Sequence, residues 1–228
     1  MRKRSKRIKE CYKLVDKNKV YELKEAISIL KRVPQPKFDQ SVEVSFKLGI
    51  DPKKTDQVVR GSVLLPHGVG KEKTVVVLCE DERMAEEARK AGADFVGADD
   101  LIKKIEEGWM EFDAIVCPPE MMRRIARLGK VLGPRGLMPS PKTGTVTTEI
   151  GKAVEEVKKG RVEFKNDKDG GIHLAVGRIS FPQEKIEENV LHLIEAIKKK
   201  KPAGLKGHYI QSVAISTTMG PGLKIEVK

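Results

Sequence analysis

Nowhere does this chain of 228 residues carry an apolar run of the roughly 18–20 residues that crosses a bilayer, which excludes a membrane-spanning helix. Its basic start, MRKRSKRIKECYKL, leads into no apolar core segment, so it is not a secretory signal. A targeting peptide, or a basic arm or helix against RNA, remains. Cysteine is scarce: Cys11, Cys79 and Cys117 are odd in number and widely spaced. They define no disulfide or zinc framework, and two of them end apolar runs, which predicts buried thiols in a reducing cytosolic setting.

The equipment of common enzymes is also missing. His67, His173, His192 and His208 are scattered without paired metal-ligand spacing, and no Ser or Cys sits in a nucleophile elbow. His67-Gly-Val-Gly-Lys71 resembles a phosphate loop only superficially. Leu65 stands where the first glycine belongs and Glu72 where Ser or Thr belongs, so a glycine-rich border between domains is the better reading. The first strand of the middle region runs into Cys79-Glu-Asp-Glu-Arg rather than a glycine fingerprint, so dinucleotide binding is unsupported. Carboxylates such as Glu86, Glu87, Glu106 and Glu107 read as solvated helix surface.

What is abundant is positive charge. The chain is 34% charged with a net charge of +12, a balance that favours polyanionic partners. Residues 1–67 carry +9 and residues 161–228 carry +4, whereas residues 68–160 carry −1. That middle region is itself polarised. Residues 68–120 hold 7 basic and 14 acidic residues, while residues 121–148 hold Arg123, Arg124, Arg127, Lys130, Arg135 and Lys142 with no acid. A single lysine usually marks a solvated face, but an acid-free window in an acidic region points to a second polyanion contact. Within it lies Leu132-Gly-Pro-Arg-Gly-Leu-Met-Pro-Ser-Pro-Lys-Thr-Gly-Thr145, read from its glycines and prolines as a cationic loop.

Hydrophobic patterning divides the chain in the same way. Val42-Glu-Val-Ser-Phe46-Lys-Leu48, Val162-Glu-Phe164-Lys, Ile172-His-Leu174-Ala-Val176 and Leu223-Lys-Ile225-Glu-Val227 alternate with period two, as half-buried and typically antiparallel strands do. Helices are predicted over about 22–32 (Leu23, Ala26, Ile27, Leu30) and 183–200 (Ile186, Val190, Leu193, Ile194, Ile197), with Ser180 and Pro182 marking a start and Pro202 a stop. In the middle, Thr74-Val-Val-Val-Leu-Cys79 and Asp113-Ala-Ile-Val-Cys117 are continuous apolar runs. Helix-like segments at about 81–91 and 99–107, and the short Asp94-Phe95-Val96, give strand–helix–strand–helix–strand order around a small parallel sheet.

The fold class is therefore α/β in two domains. A discontinuous α/β sandwich with an antiparallel-type sheet is expected from residues 1–67 and 161–228, and an inserted βαβ domain from 68–160, with two connections that invite a hinge.

Two further stretches concern binding. Ile197-Lys-Lys-Lys-Lys-Pro202 is read equally well as a nucleic-acid patch or a helix terminus with dipole-suited cations. Ser216-Thr-Thr-Met-Gly-Pro-Gly222 lies between two alternating strands and carries more than a plain turn needs. Small hydroxyls with glycine let an RNA backbone approach closely, and an exposed Met packs on a sugar or base. Phe38, in Lys37-Phe-Asp-Gln-Ser41, reads on residues alone as core.

LGKVLGPRGLMPSPKTGTV, SVEVSFKLGIDPKKTDQVVRGSVLLPHGVGK, VEFKNDKDGGIH and STTMGPG together resemble the ribosomal protein L-one family, over essentially the whole chain and in order. The resemblance implies a discontinuous domain that binds 23S rRNA at the mobile stalk of the large subunit, and an inserted Rossmann-like domain. It implies contact with departing exit-site tRNA, repression of the protein's own mRNA through a mimic of the rRNA site, no cofactor, a free monomer and a cytoplasmic ribosomal location. Position by position, the matching rRNA-contact residues are Lys37, Phe38, Ser41, Lys47, Asp167, Lys168, Ser212, Thr218, Met219 and Gly220, which moves Phe38 from core to contact. Arg123, Arg124, Lys130, Arg135 and Lys142 are the expected secondary RNA or tRNA contact. The alternative is a cytosolic enzyme binding a phosphorylated substrate between two α/β domains.

Overall fold

The structure, a computed structural model, describes residues 5–226 apart from 17, 203 and 206. Met1–Arg4 of the basic start, and the Val227 that closes the last alternating segment, lie outside them. In chain order the first elements are α1 (Lys6–Lys13), β1 (Val20–Tyr21), α2 (Leu23–Arg32), β2 (Ser41–Leu48) and β3 (Arg60–Leu64). There follow β4 (Val75–Leu78), α3 (Glu82–Lys90), β5 (Phe95–Gly97), α4 (Asp99–Glu106), β6 (Ala114–Val116), α5 (Met122–Ile125), α6 (Gly129–Arg135) and α7 (Ile150–Lys158). The last are β7 (Arg161–Lys165), β8 (Gly171–Arg178), α8 (Gln183–Lys199), β9 (Ile210–Thr217) and β10 (Leu223–Ile225).

The fold is α/β, and its contacts divide it into two units: Met1–Gly70 with Phe164–Lys228, and Lys71–Glu163. These borders fall three residues beyond those drawn at 67/68 and 160/161 from the sequence.

The discontinuous unit holds a five-stranded sheet in the order β1-β10-β9-β2-β8, antiparallel except for the β1–β10 pair. Val42, Val44, Phe46 and Leu48 of β2, with Val213 and Ile215 of β9, point inward and are buried. The inner face is closed by α2, which buries Leu23, Ala26, Ile27 and Leu30, and by α8, which buries Ile186, Val190, Leu193, Ile194 and Ile197. Each of the leucines, isoleucines and valines contributes about 1.5–3 kcal/mol by leaving water. Pro182 stands at the N-cap of α8 without a side-chain cap, and Ser180 turns instead to Asp39. One polar group is fully buried in this layer. Asn189 donates from Nδ2 to Gly68 O (2.9 Å) and Val176 O (2.7 Å), and its Oδ1 accepts the His67 N–H (3.1 Å).

In the inserted unit β5, β4 and β6 form a parallel sheet, extended at Cys117, which bridges to Val146 in parallel. Successive residues of β4 face opposite sides. Val76 and Leu78 pack with Ile105, Ile125, Leu128 and Leu132, and Val75 and Val77 pack with Ala88, Ile150, Val154 and Val157. All three cysteines are buried and free, and burial alone pushes the Cys117 thiol up to about 12.

The segment read as a loop from 132 to 145 is partly helical. Leu132–Arg135 is the last turn of α6, with Pro134 inside it. Leu132 sits four residues after Leu128, and both are fully buried, so packing outweighs the low propensity of Gly133 and Pro134. Gly136, at φ 71°, ends the helix in the left-handed conformation that glycine adopts without steric cost. Beyond it Ser140 organises a tight turn. Its N–H donates to Thr145 Oγ1 (2.9 Å), and its carbonyl accepts from Thr143 Oγ1 (3.0 Å).

Candidate nucleic-acid interface

Alternation along the central strands gives the sheet an uncovered outer face. Ser41, Glu43, Ser45 and Lys47 of β2 face outward, as do Ser212, Ala214 and Ser216 of β9 and Thr218 beyond it. The register sets Lys47 opposite Ser212, Ser45 opposite Ala214 and Glu43 opposite Ser216. From Ser41 to Lys47 this strip runs about 20 Å, at ~3.3 Å per residue. Short side chains leave room for a polymer backbone to lie close to the sheet.

At one end of the strip the segments 37–41 and 217–220 are tied together. Thr218 N–H donates to Ser41 O (3.1 Å), and Ser41 N–H donates to Thr218 Oγ1 (3.1 Å). Met219 has both peptide groups held. Its N–H donates to Gln40 Oε1 (2.8 Å), and its carbonyl accepts from Arg7 Nη2 (2.7 Å). Gln40 is buried and anchored in turn by Gln35. On the other flank the Asp39 carboxylate accepts from Ser180 N–H (3.2 Å) and Oγ (2.8 Å), while Arg178 donates to Asp39 O and Ser41 Oγ. With the backbone fixed this way, Phe38 and Met219 are 49% and 52% exposed, and Lys37 is exposed beside Phe38. Phe38 is therefore not a core residue. Within this segment Lys37, Phe38 and Asp39 are exposed, and only Gln40 turns inward.

Gly220 completes this end. A Cβ there would stand 2.1 Å from Thr217 Oγ1, so only glycine closes the turn without displacing that side chain. Thr217 is buried, and its hydroxyl has no hydrogen-bond partner among the described residues.

At the other end, Asp167 folds the loop before β8. Its Oδ1 accepts the N–H groups of Gly171 (2.6 Å) and Asp169 (2.8 Å), and its Oδ2 lies 3.5 Å from His173 Nε2. Those two backbone donors, Gly171 first, with a smaller effect of His173, hold the carboxyl below the usual aspartate range. Lys168 is exposed at the tip, and Lys47 Nζ donates to Asp169 O. Lys47, Asp167 and Ser212 line one shallow depression of about 280 Å³ together with Ser45 and His173. Here the carboxylate shapes a loop; it can accept from a ribose hydroxyl but repels a phosphate. A depressed folded-state pKa stabilises the loop above the unfolded value, and that stability is lost as pH falls through the folded one. The amide resonances of Gly171 and Asp169 should accordingly shift with a low-pH midpoint below the usual aspartate range, measured by heteronuclear NMR.

In the inserted unit the cations of the acid-free window follow α5, α6 and the Ser140 turn. Arg123, Lys130, Arg135 and Lys142 are exposed. Arg124 is engaged by acids from outside the window, pairing with Glu80 and with Asp99 at 3.1 Å.

Residues 28–221 match the model of the Ribosomal protein L1p/L10e family. The chain belongs to that family. Curated relatives are named large ribosomal subunit protein uL1. That of Protochlamydia amoebophila is 54% identical over 98% of this chain and 94% of its own length. That of Kosmotoga olearia is 54% identical over 99% and 97%, and that of Persephonella marina 52% identical over 100% and 95%.

For this member of the L1p/L10e family, the residues singled out from sequence fall into the two ends of one strip and the separate basic surface of the insert. Those not singled out are of two kinds. Glu43, Ser45, His173 and Ser216 lie on the outer face between the two ends, and the alternation that marks their buried neighbours would have found them. Arg7, Gln40 and Arg178 act through backbone groups distant in sequence and carry no local signal.

Proposed function

We propose that this chain holds 23S rRNA at the mobile stalk through the outer strip of β2 and β9 and the turn at Thr218–Gly220. As a member of the L1p/L10e family it is a structural, non-enzymatic ribosomal protein of the cytoplasmic ribosome. The reading as a phosphate-binding enzyme accordingly falls away. The observation that carries the proposal is Met219. Both of its peptide groups are held by residues distant in the chain while Met219 itself stands exposed beside a row of small hydroxyls. Such a surface recognises RNA by shape, 2′-hydroxyls and sugar or base packing, with Lys37, Lys47 and Lys168 adding phosphate contacts.

The same strip would hold the protein's own mRNA, and a single face cannot hold two RNAs at once, so message and rRNA must compete. The exposed cations of the insert supply the proposed contact with exit-site tRNA. The test is binding of the full chain to a stalk fragment of 23S rRNA against random RNA across a salt titration. Specific binding should weaken with salt, and Lys37→Ala and Lys47→Ala should each flatten the logarithmic slope by about one. No preference over random RNA, or rRNA and message leader bound together without competition, would overturn the proposal.

A further inference from the structure

The helical side of the discontinuous unit carries a groove of about 470 Å³ between the start of α2, the outer half of α8 and the tip of β10. Its floor is apolar. Leu23, Ile194 and Ile225 are buried at its base, and Leu191 lies 49% exposed within it. Its rim is acidic, with Glu22, Glu187, Glu195 and Glu226 against Lys24 and Lys198, and Lys24 is already paired with Glu187 at 3.8 Å. The net of −2 stands in a unit whose two chain segments, 1–70 and 164–228, together carry +13. Here the sign of the surface is reversed.

That reversal selects the occupant. Acidic rims repel RNA phosphates and anionic lipid headgroups alike. Two copies meeting groove to groove would set carboxylates against carboxylates. A cationic peptide with apolar anchors satisfies both floor and rim. Along α8 the groove extends from Glu187 to Lys198, about 16 Å at ~1.5 Å per residue, so the matching length is about three helical turns. We propose that this groove docks a short basic amphipathic helix of another protein, seating an apolar side chain against Leu191 and its cations against Glu22, Glu195 and Glu226. It lies on the layer opposite the outer strip of β2 and β9, and the inference stands whether or not that strip binds RNA.

The test uses the full isotope-labelled chain without RNA and two probes of about 12 residues. One is a Lys–Leu amphipathic peptide, and the other is a Glu–Leu peptide of the same pattern. The Lys–Leu peptide should give saturable amide shifts confined to Leu191, Ile194, Glu195 and their neighbours, and the Glu–Leu peptide none. Leu191→Ser and Glu195→Lys, both exposed and expected to melt like the parent, should each weaken binding at least about tenfold. Equal binding of the two peptides, absence of saturable shifts, undiminished affinity in both variants, or self-association that closes the groove would each overturn the proposal.

Discussion

Gly220→Val is expected to lower affinity for a stalk rRNA fragment about 100-fold or more, equivalent to ~2.7 kcal/mol, while the protein still melts cooperatively. A Cβ at this position would stand 2.1 Å from Thr217 Oγ1, well inside contact distance, so either the buried Thr217 side chain gives way or the turn opens. Opening it moves Thr218 and Met219 off the frame set by Ser41, Gln40 and Arg7. Met219→Ala keeps the frame and removes only the projecting side chain, so its loss should be smaller, about tenfold. Titration of the labelled rRNA fragment beside thermal melts reads both. A folded Gly220→Val protein with the parent's dissociation constant would remove the turn from the interface.

The largest effect on stability is expected from Asn189→Leu. Leucine is similar in size but leaves the His67 N–H and the carbonyls of Gly68 and Val176 without their buried partner. The buried Val176 carbonyl left unsatisfied costs about 1–3 kcal/mol, and the part-buried His67 N–H and Gly68 carbonyl add a smaller share, for a sum of ~3 kcal/mol. That is a large share of the ~5–15 kcal/mol that a domain commands, and corresponds to a fall in melting temperature of about 10 °C. Calorimetry measures it, and an unchanged melting temperature would show that the three groups find other partners. RNA affinity should fall only with the fraction unfolded, because Asn189 lies beneath the helical layer and not on the outer strip.

Much of this architecture is written in short-range periodicity. Strands β2 and β8 follow from alternation, β4 and β6 from continuous apolar runs, and α2 and α8 from their apolar stripes. The same signal marks α7, where Ile150, Ala153, Val154 and Val157 recur at helical spacing despite Gly151 inside the helix. At Leu132–Arg135 glycine and proline point to a loop, but propensity is local, and the burial that overrides it comes from packing in the core of the insert. The site divides along the same line. Exposed chemistry at Met219 and Gly220 could be argued from residue type. What holds them joins Arg7 to Met219 across 212 positions and Gln40 to Met219 across 179, pairings that no local pattern encodes. Arg124 makes the converse point, since a window free of acids said nothing about Glu80 and Asp99 arriving from elsewhere in the fold.

The clamp on Met219 also has a meaning in time. Its donors, Arg7 and Gln40, are made well before β9 and the turn that they grip. A chain emerging from its start lacks the strand between β2 and β10 until translation has passed residue 217, and lacks the turn until residue 220. Unfinished molecules therefore lack the assembled end of the strip proposed to face RNA. If this face also reads the messenger, the feedback counts completed proteins and ignores those still being synthesised.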